Sequence, residues 1–297
     1  MEGRDRLQGS IVNFALWFCL LTFSFCLRVP RVAAHSEEAA VSQKTYTGIT
    51  VDANLKDWVR RIEQGNWSGK MEITKGHAVR WMRAVPIYLN TTTSNIESGA
   101  IANTQDLAAI VYTLWDDTQL YVAAVVQDDQ VVTQHEGEDI WQDDCVELWL
   151  DCRHDAMTHT LFQDDEYQIG LSPTSRYRQR PLAWTWRNPR TEQVTGALQL
   201  ASMLTPEGYI VEAAVPWRVL HGCKPSIGSM IGMNLSVVDK DEDQLWTHLT
   251  WSGQLHSDPS QFGHLYFLDA PVDLFPEDVS EAPPGNSSWE RILESMK

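Results

Sequence analysis

Eight short apolar segments, each bounded by turn residues, constrain the fold of this chain more than any other feature. In chain order they are LAAIVYTLW, LYVAAVV, CVELWLD, YQIGLS, YIVEAAVPW, MNLSVVD, LWTHLTW and HLYFL. Alternating or continuous apolar runs of this length are typical of β-strands. The turn-like sequences WDDTQ and DKDED each join two segments and predict antiparallel hairpins. Many short strands with few helical patterns predict an all-β fold, an antiparallel, jelly-roll-like β-sandwich.

Two stretches inside this pattern lack a clear strand signal and predict long loop insertions. The first, residues 58–104, includes the polar sequence NTTTSNIESGA. The second, residues 174–190, is TSRYRQRPLAWTWRNPR and contains arginines but no acidic residue. In so acidic a protein, this arginine-rich loop either contacts a ligand or pairs with the protein's own acidic groups, and the second interpretation is the more common one for surface charges.

The two ends of the chain differ from its central region. Residues 1–34 have the pattern of an export signal, with basic residues ahead of an apolar run over 11–27 and the small residues Val32-Ala33-Ala34 before the expected cleavage site. An uncleaved membrane anchor is the alternative, although the run is at the short limit for spanning a bilayer. We expect residues 35–48 to be a linker, 49–268 a single folded module, and 269–297 a flexible acidic tail.

The net charge limits the partners of this protein. Lysine and arginine number 23 against 40 aspartate and glutamate residues, which gives a formal charge of -17. This balance disfavours binding to nucleic acid or to anionic lipid. With the export signal, it predicts a secreted or periplasmic monomer that does not insert into a membrane after signal cleavage.

Three cysteines follow the predicted signal, namely Cys145, Cys152 and Cys223. If the chain from Cys145 to Cys152 is one extended strand, these two cannot form a disulfide. Steps of about 3.3 Å per residue separate them by far more than the roughly 4.4–6.8 Å between Cα atoms that a disulfide allows. Cys223 then pairs with one of them, or all three are free.

The stretch EDIWQDDCVELWLDC is the strongest indication of a binding site. Alternation sends Val146, Leu148 and Leu150 to the core and a mostly polar set, with Glu147, to the other face. Trp141 precedes this strand, at its rim. An exposed indole can cover the apolar face of a sugar ring, and a carboxylate can accept hydrogen bonds from the sugar hydroxyls. The alternative is that Trp149 only packs under a loop and Glu147 is a solvated strand residue.

The order of several sequence blocks resembles the family 9 carbohydrate-binding modules and related sandwich domains of the DOMON-like group. These blocks are ITVDANLKDW, LWDDTQLYVAAVVQDD, WQDDCVELWLD, DEYQIGLSP, GYIVEAAVPW, IGMNLSVVDKDEDQ and LTWSGQLHSDPSQFGHLYF. Together they cover the whole predicted module. The resemblance implies a β-sandwich that binds sugars without catalysis, in known members at the ends of glucan or xylan chains held between two tryptophans.

The resemblance also implies individual site residues. In the W-x-x-D-x-V-E block, Trp141 is the implied stacking residue and Glu147 the implied hydrogen-bond acceptor. His256 replaces the second tryptophan of the family, and its smaller, more polar ring should lose part of a stacking free energy of roughly 1–3 kcal/mol. Gln168 is a weaker candidate contact, and Gly170 stands where the family has an arginine. Alternative second walls are Trp251, Trp184 and Trp186, and the arginine-rich loop can supply the missing guanidinium.

Other chemistries have less support. Acidic pairs occur at Asp116-Asp117, Asp128-Asp129, Asp143-Asp144 and Asp164-Asp165-Glu166, mostly in turns and at strand ends. Their spacing selects no pair for glycoside hydrolysis, so we expect no enzyme activity and no catalytic residue. Clustered carboxylates favour calcium, and relatives of the resembled family often carry it, so structural calcium is the expected metal, at ligands that the sequence does not identify. The sequence DKDEDQ lacks the glycine of an EF-hand loop, and no cysteine pair has zinc spacing.

Two functions of other classes are alternatives. Sandwiches of this group also resemble haem-binding electron-transfer domains, in which methionine with histidine or lysine holds the iron. The candidate ligands would be Met203, Met230 or Met233 with His221 or His248. The other alternative is a module that has lost its ligand and serves only as an interaction domain.

Overall fold

The computed structural model describes residues 36–61, 80–82, 84–156, 159, 161–241, 246–254 and 256–269. The predicted signal and the predicted tail after residue 269 lie outside this part of the chain. The strands are β1 (Ala39–Lys44), β2 (Val59–Arg61), β3 (Arg80–Met82), β4 (Ile87–Leu89), β5 (Asn95–Ser98), β6 (Leu107–Trp115), β7 (Gln119–Asp128), β8 (Cys145–Asp151), β9 (Glu166–Ser172), β10 (Leu182–Trp186), β11 (Gln199–Thr205), β12 (Gly208–Pro216), β13 (Met230–Lys240), β14 (Trp246–Thr250) and β15 (Gly263–Leu268). All eight predicted segments are strands, and the predicted all-β sandwich is confirmed.

Most described strands belong to one continuous hydrogen-bonded sheet that folds over on itself. Its order is β10-β9-β8-β13-β15-β1-β6-β7-β12-β11, with β14 beside β13, β5 beside β14 and β4 beside β6. Both predicted hairpins are antiparallel pairs, β6 with β7 and β13 with β14. Strands β2 and β3 form a separate two-stranded sheet. The first and last strands of the main order are therefore the edges of the two layers.

The main core lies between the two halves of the folded sheet. Val146, Leu148 and Leu150 of β8 point into it, as the alternation predicts, and all three are fully buried. Alternate apolar residues of β6, β7, β9, β12 and β13 complete this core. A second cluster, whose largest member is Trp58, covers the outer face of β6, β7 and β12. Apolar burial of this kind, on both sides of the strands, is the main favourable contribution to folding.

The expected linker over 35–48 is wrong, because it contains β1. This strand pairs in parallel with β15, from Ala39↔His264 to Gln43↔Leu268, and also with β6. The two neighbouring strands satisfy the backbone hydrogen-bonding groups of β1. Because the composition of β1 is polar, its sequence gives little indication that it forms a strand. The folded module therefore begins before Ile49, and the sheet is not antiparallel throughout.

Both expected loop insertions also contain strands. Within 58–104, β4 pairs with β6 and β5 pairs with β14. Within the arginine-rich loop, β10 pairs with β9 and brings Trp184 opposite Gly170. These strands are short or lie at an edge, where one side of the backbone stays unpaired and the apolar alternation is weak.

A disulfide joins Cys152 to Cys223, and Cys145 is free and buried. This is one of the outcomes that the cysteine spacing leaves open. The bond ties the end of β8 to the segment after β12, at a sequence separation of 71. Closing a loop of this length restricts the unfolded chain and contributes about 4 kcal/mol of stability.

The described helical segments are short. They are the helix α1 (Thr191–Ala197) and 3-10 turns at Gly137–Gln142, Trp217–Val219 and Pro259–Gln261. In the part of the chain that the structure describes, no helix combines the length and the apolar character needed to cross a membrane.

Candidate functional site

The outer face of β8, β9, β13 and β14, here called the site face, carries most of the predicted site. Cys145, Glu147, Trp149 and Asp151 of β8 point to it, away from the main core, as the alternation predicts. The alternative interpretation of Glu147 as a solvated strand residue is wrong, because none of the four is more than 2% exposed. Side chains from β10 and from the loop after β14 pack over the face and exclude water.

Glu147 is the centre of a hydrogen-bond network across three strands. Its Oε1 accepts from Nε2 of Gln168 at 3.1 Å, and its Oε2 accepts from Oγ of Ser236 at 2.9 Å. Nε1 of Trp149 donates to the same Ser236 hydroxyl at 3.0 Å. Burial raises the pKa of Glu147, and the charge of His256 with these two hydrogen bonds offsets part of that rise. The carboxylate is therefore held in a fixed orientation.

His248 of β14 lies beside this carboxylate. Its Nε2 is 3.6 Å from Oε2 of Glu147, and neither ring nitrogen has a hydrogen-bond partner among the described residues. Burial, with a smaller contribution from His256, lowers the pKa of His248 to about 3. The imidazole is therefore neutral at physiological pH and keeps a free lone pair on one nitrogen.

His256, the predicted second wall, stacks on His248 with ring centroids 4.0 Å apart and planes at 27°. Its ring also lies 4.9 Å from the ring of Trp149. Nδ1 of His256 contacts Oε2 of Glu97 on β5, and the same oxygen accepts from the backbone N–H of His256 at 3.0 Å. The ring is thus held against the site face with its side chain 18% exposed.

Trp141, the predicted stacking residue, is 44% exposed and lies in the 3-10 turn that precedes β8. Its ring meets Trp246 edge to face, with centroids 6.2 Å apart, and Trp246 meets His248 in the same way at 5.5 Å. The side chains Trp141, Trp246, His248 and His256 are here called the ring row. The described contacts connect Trp141 to Glu147 through this row, not directly.

Gly170, the position at which the resemblance implies an arginine in the family, lies directly beside Trp186 of β10. A Cβ at this position would lie 2.6 Å from the ring of Trp186, so the indole occupies the space beside it. The next residue, Arg187, donates from Nε to Oε1 of Gln168 at 3.0 Å and lies over the ring of Phe162. The guanidinium of the residue that follows β10 therefore reaches the Glu147 network through Gln168.

Of the other arginines of this loop, Arg180 pairs with an acidic group of the protein, as the more common interpretation expects, whereas the described hydrogen bonds of Arg178 and Arg190 include donations to backbone carbonyls. Arg178 donates to Oγ of Ser172 and to backbone carbonyls, Arg180 lies 3.5 Å from Glu136, and Arg176 stacks on Tyr177. Arg187 is the one that the site uses.

The alternative second walls fall in different places. Trp251 is wrong as a wall, because it is 7% exposed and belongs to the main core. Trp184 and Trp186 are partly buried and pack against a small cluster under the ring row. Trp246 is a further ring on this face, which the resemblance does not imply as a wall. Alternation in LWTHLTW could have found it together with His248, since both lie on the face opposite Leu249 and Trp251.

Two groups of acids, all buried except Asp155, lie outside the ring row. Asp128, Asp144 and Asp239 bring one oxygen each within 4.8 Å of the others. Burial raises the pKa of Asp128 to about 7 and that of Asp239 to about 8. The second group is Asp151, Asp155, Asp165 and Glu166, and burial raises the pKa of Glu166 to about 7. Oxygen ligands converge in the first group, which is the donor set of a hard cation, whereas His159 joins Asp155 and Glu166 of the second group.

The candidate haem ligands lie in unlike environments. Met233 is fully buried in the main core, whereas Met203 of the edge strand β11 and Met230 are exposed. His221 pairs with Asp164 at 3.0 Å. These positions give the haem alternative no support.

Comparison with known proteins gives a consistent result. Residues 80–269, well over half of the chain, match the family model described as "Carbohydrate family 9 binding domain-like". Endo-1,4-beta-xylanase A of Thermotoga maritima is 31% identical over 184 residues, and the enzyme of the same name from Thermoanaerobacterium saccharolyticum is 30% identical over 204. These matches cover 60% and 67% of this chain but only 16% of each xylanase.

Solved structures show the same fold. A family 9 carbohydrate-binding module from Caldicellulosiruptor kristjanssonii, solved with cellotriose, superposes with a TM-score of 0.51 at 19% identity, covering 80% of this chain and 97% of that one. The structure of such a module from the same organism with glucose gives 0.50 at 20% identity, with 80% and 100% covered. The protein thus belongs to the carbohydrate family 9 binding domain-like family, as the order of its sequence blocks predicts.

Proposed function

We propose that this protein is exported and binds a glucan- or xylan-like oligosaccharide on the site face without catalysing its breakdown. Trp141 is the stacking wall, Glu147 and Gln168 supply polar contacts, and His256 is a second, smaller wall. Family membership supports carbohydrate binding, and the cellotriose and glucose in the C. kristjanssonii structures support this ligand class. The part of the xylanases that resembles this chain is a small fraction of their length, so a binding role without turnover is the one proposed.

One observation carries this proposal. A row of rings begins at the exposed indole of Trp141 and ends beside the fixed Glu147 carboxylate. A pyranose has the matching chemistry, with C–H bonds on its flat face and hydroxyls at its edge. Each oxygen of Glu147 already accepts one hydrogen bond from the protein, and a carboxylate has about four acceptor sites, so capacity for sugar hydroxyls remains.

Access to Glu147 requires a side chain to move, since the carboxylate is 2% exposed. His256 and Arg187 are the covering groups with some exposure to solvent. We infer that a sugar first stacks on Trp141 and reaches the carboxylate when the His256 ring shifts to lie against the sugar as its second wall. Before that movement, Glu147 acts by orienting the amide of Gln168.

Export and structural calcium are parts of the same proposal. The predicted signal over 1–34 supports export, and so does the Cys152–Cys223 disulfide, because disulfides persist mainly in oxidising compartments. We propose calcium at Asp128, Asp144 and Asp239, which are all buried. Oδ1 of Asp239 has no hydrogen-bond partner among the described residues, which leaves an oxygen available for a cation.

The test is a glycan array with native and borohydride-reduced oligosaccharides, followed by calorimetric titration with cellotriose. Replacing Trp141 by alanine should weaken binding about 5- to 150-fold, the equivalent of a stacking contribution of roughly 1–3 kcal/mol. The matched control is Tyr46→Ala, since Tyr46 is a 66% exposed ring beside Lys44, in the segment that follows β1. Equal binding by the Trp141→Ala variant and the parent protein contradicts this site, and an array without any bound glycan contradicts the function.

A further inference from the structure

Three metal-binding side chains converge at the end of the ring row. One ligand atom each from Glu97, His248 and His256 lies within 4.8 Å of the other two. The residues come from β5, from β14 and from the loop that follows β14, so the fold brings together positions far apart in sequence. Two imidazoles with one carboxylate form a donor set that zinc and related ions prefer, whereas calcium prefers oxygen alone.

His248 supplies an independent observation. The residue is 2% exposed, and neither of its ring nitrogens has a hydrogen-bond partner among the described residues. A buried polar atom that forms no hydrogen bond costs about 1–3 kcal/mol. Stacking on His256 and edge contact with Trp246 satisfy the faces and the edge of the ring but not its nitrogens. A metal ion would bind to the free lone pair of a His248 ring nitrogen within this cluster of ligands.

Glu147 takes the position of an outer carboxylate. Histidine ligands commonly donate their second ring N–H to a carboxylate, which fixes the tautomer and the orientation of the ring. Oε2 of Glu147 lies 3.6 Å from Nε2 of His248, a few tenths of an ångström beyond a hydrogen bond. A small approach of these groups would make Nε2 the donor and leave Nδ1 for the ion.

To bind a zinc ion, the three ligand atoms need to move only slightly closer together. The ligand atoms of a tetrahedral zinc ion are about 3.4 Å apart, against the 4.8 Å limit within which these atoms lie. His248 is fixed in β14, whereas the side chains of Glu97 and His256 are each 18% exposed and can adjust. The ring of Trp149, 4.9 Å from His256, makes the surroundings apolar, which strengthens binding of a charged ion to its ligands.

We propose that Glu97, His248 and His256 bind a divalent transition-metal ion, with zinc as the representative ion. The three side chains leave a further coordination position for water or for another ligand atom. This site goes beyond the proposed sugar binding and does not depend on it, since no sugar takes part in the assembly of the ligands.

The test is a zinc titration of the intact, chelator-treated protein without sugar, by calorimetry or by equilibrium dialysis with metal analysis. One site is expected whose affinity falls about tenfold or more in Glu97→Gln and in His256→Ala, because each variant removes one of three ligands. His248→Ala should abolish it. If this buried substitution prevents folding, the two partly exposed positions still decide the outcome.

His221→Ala is the matched control, because His221 also pairs with a carboxylate, that of Asp164, but without a second imidazole in that ion pair. It should leave the zinc affinity unchanged. Absence of zinc binding in the parent protein overturns the proposal, and so does zinc binding that is equally strong in Glu97→Gln and His256→Ala. Because these measurements contain no sugar, either result leaves the carbohydrate proposal to its own test.

Discussion

Two buried glutamates lie on opposite outer faces of the sandwich, and their surroundings differ. Glu212 of β12 accepts three hydrogen bonds from one short segment. Its Oε2 accepts from the backbone N–H groups of Asp52 and Ala53 at 2.9 and 2.7 Å, and its Oε1 accepts from Nε1 of Trp58 at 2.7 Å. Every donor that faces this carboxylate is paired. Glu212 therefore fixes the 49–58 segment over the second core cluster.

Glu147 is as deeply buried but less completely paired. Its donors are the side chains of Gln168 and Ser236, and its third neighbour, His248, forms no hydrogen bond among the described residues. A carboxylate whose donors are complete stabilises a fold. A carboxylate beside an unpaired imidazole and a row of rings has unused binding capacity, which is the mark of a site.

The largest expected effect is on stability, at Glu212. Replacing Glu212 by alanine should lower the free energy of unfolding by about 3–5 kcal/mol, since it leaves three buried N–H donors without an acceptor. Urea unfolding followed by tryptophan fluorescence measures the change. Cellotriose binding by the protein that remains folded at low temperature should match that of the parent. A loss below about 1 kcal/mol would show that the two glutamates are equivalent.

Much of the fold follows from local sequence, and the exceptions have physical reasons. The alternation in CVELWLD correctly directs Val146, Leu148 and Leu150 to the core. The same pattern does not reveal that the opposite face is covered, because its cover comes from β10 and from the loop that holds His256. Strand β1 is missed because its partners, β15 and β6, are more than 60 residues away in sequence, and pairing with them stabilises a segment of weak apolar character.

The site shows the same division between local and distant information. Trp141 and Glu147 lie six positions apart in a motif, so the sequence identifies them. Glu97 meets His256 only because β5 pairs with β14 at the sheet edge. Arg187 reaches Gln168 only because β10 pairs with β9. These neighbours depend on strand register, which a single sequence does not specify for short edge strands.

A second substitution tests whether Glu147, unlike Glu212, contributes to sugar binding. Glu147→Gln keeps the shape of the side chain and removes its charge, so the free energy of unfolding should change by less than about 1.5 kcal/mol. Affinity for cellotriose should fall about 10- to 100-fold, because hydrogen bonds to a charged acceptor contribute about 1.5–3 kcal/mol. Calorimetric titration measures it, with Glu212→Gln as the control that keeps full affinity. Equal losses in both variants would contradict the assignment of Glu147 to the site.

A third kind of buried carboxylate lies close to other carboxylates. This group consists of Asp128, Asp144 and Asp239. Burial raises the pKa of Asp239 to about 8, above an unfolded value of about 3.9. In chelator, the protonated form is favoured by folding, so the contribution of Asp239 to the free energy of unfolding is greatest below about pH 4, falls as pH rises from about 4 to 8, and is lost above the folded pKa. Asp239→Asn should therefore stabilise the chelated protein at pH 8 by about 1–2 kcal/mol and abolish stabilisation by calcium. Thermal unfolding at pH 5 and pH 8, with and without calcium, measures both effects. If calcium does not change the thermal stability of the parent protein, the proposed calcium site at this group is contradicted.

The smallest expected effect separates the two ligands of the ring row. His256→Trp restores a larger stacking surface, so cellotriose affinity should rise about fivefold, close to 1 kcal/mol of added stacking. The same change removes one imidazole from the proposed metal ligands, so zinc affinity should fall. The opposite signs matter more than the magnitudes, because a general disturbance of the loop would weaken both ligands together. A rise for the sugar with a fall for zinc, measured by calorimetry on one preparation, would assign His256 to both functions at this end of the site face.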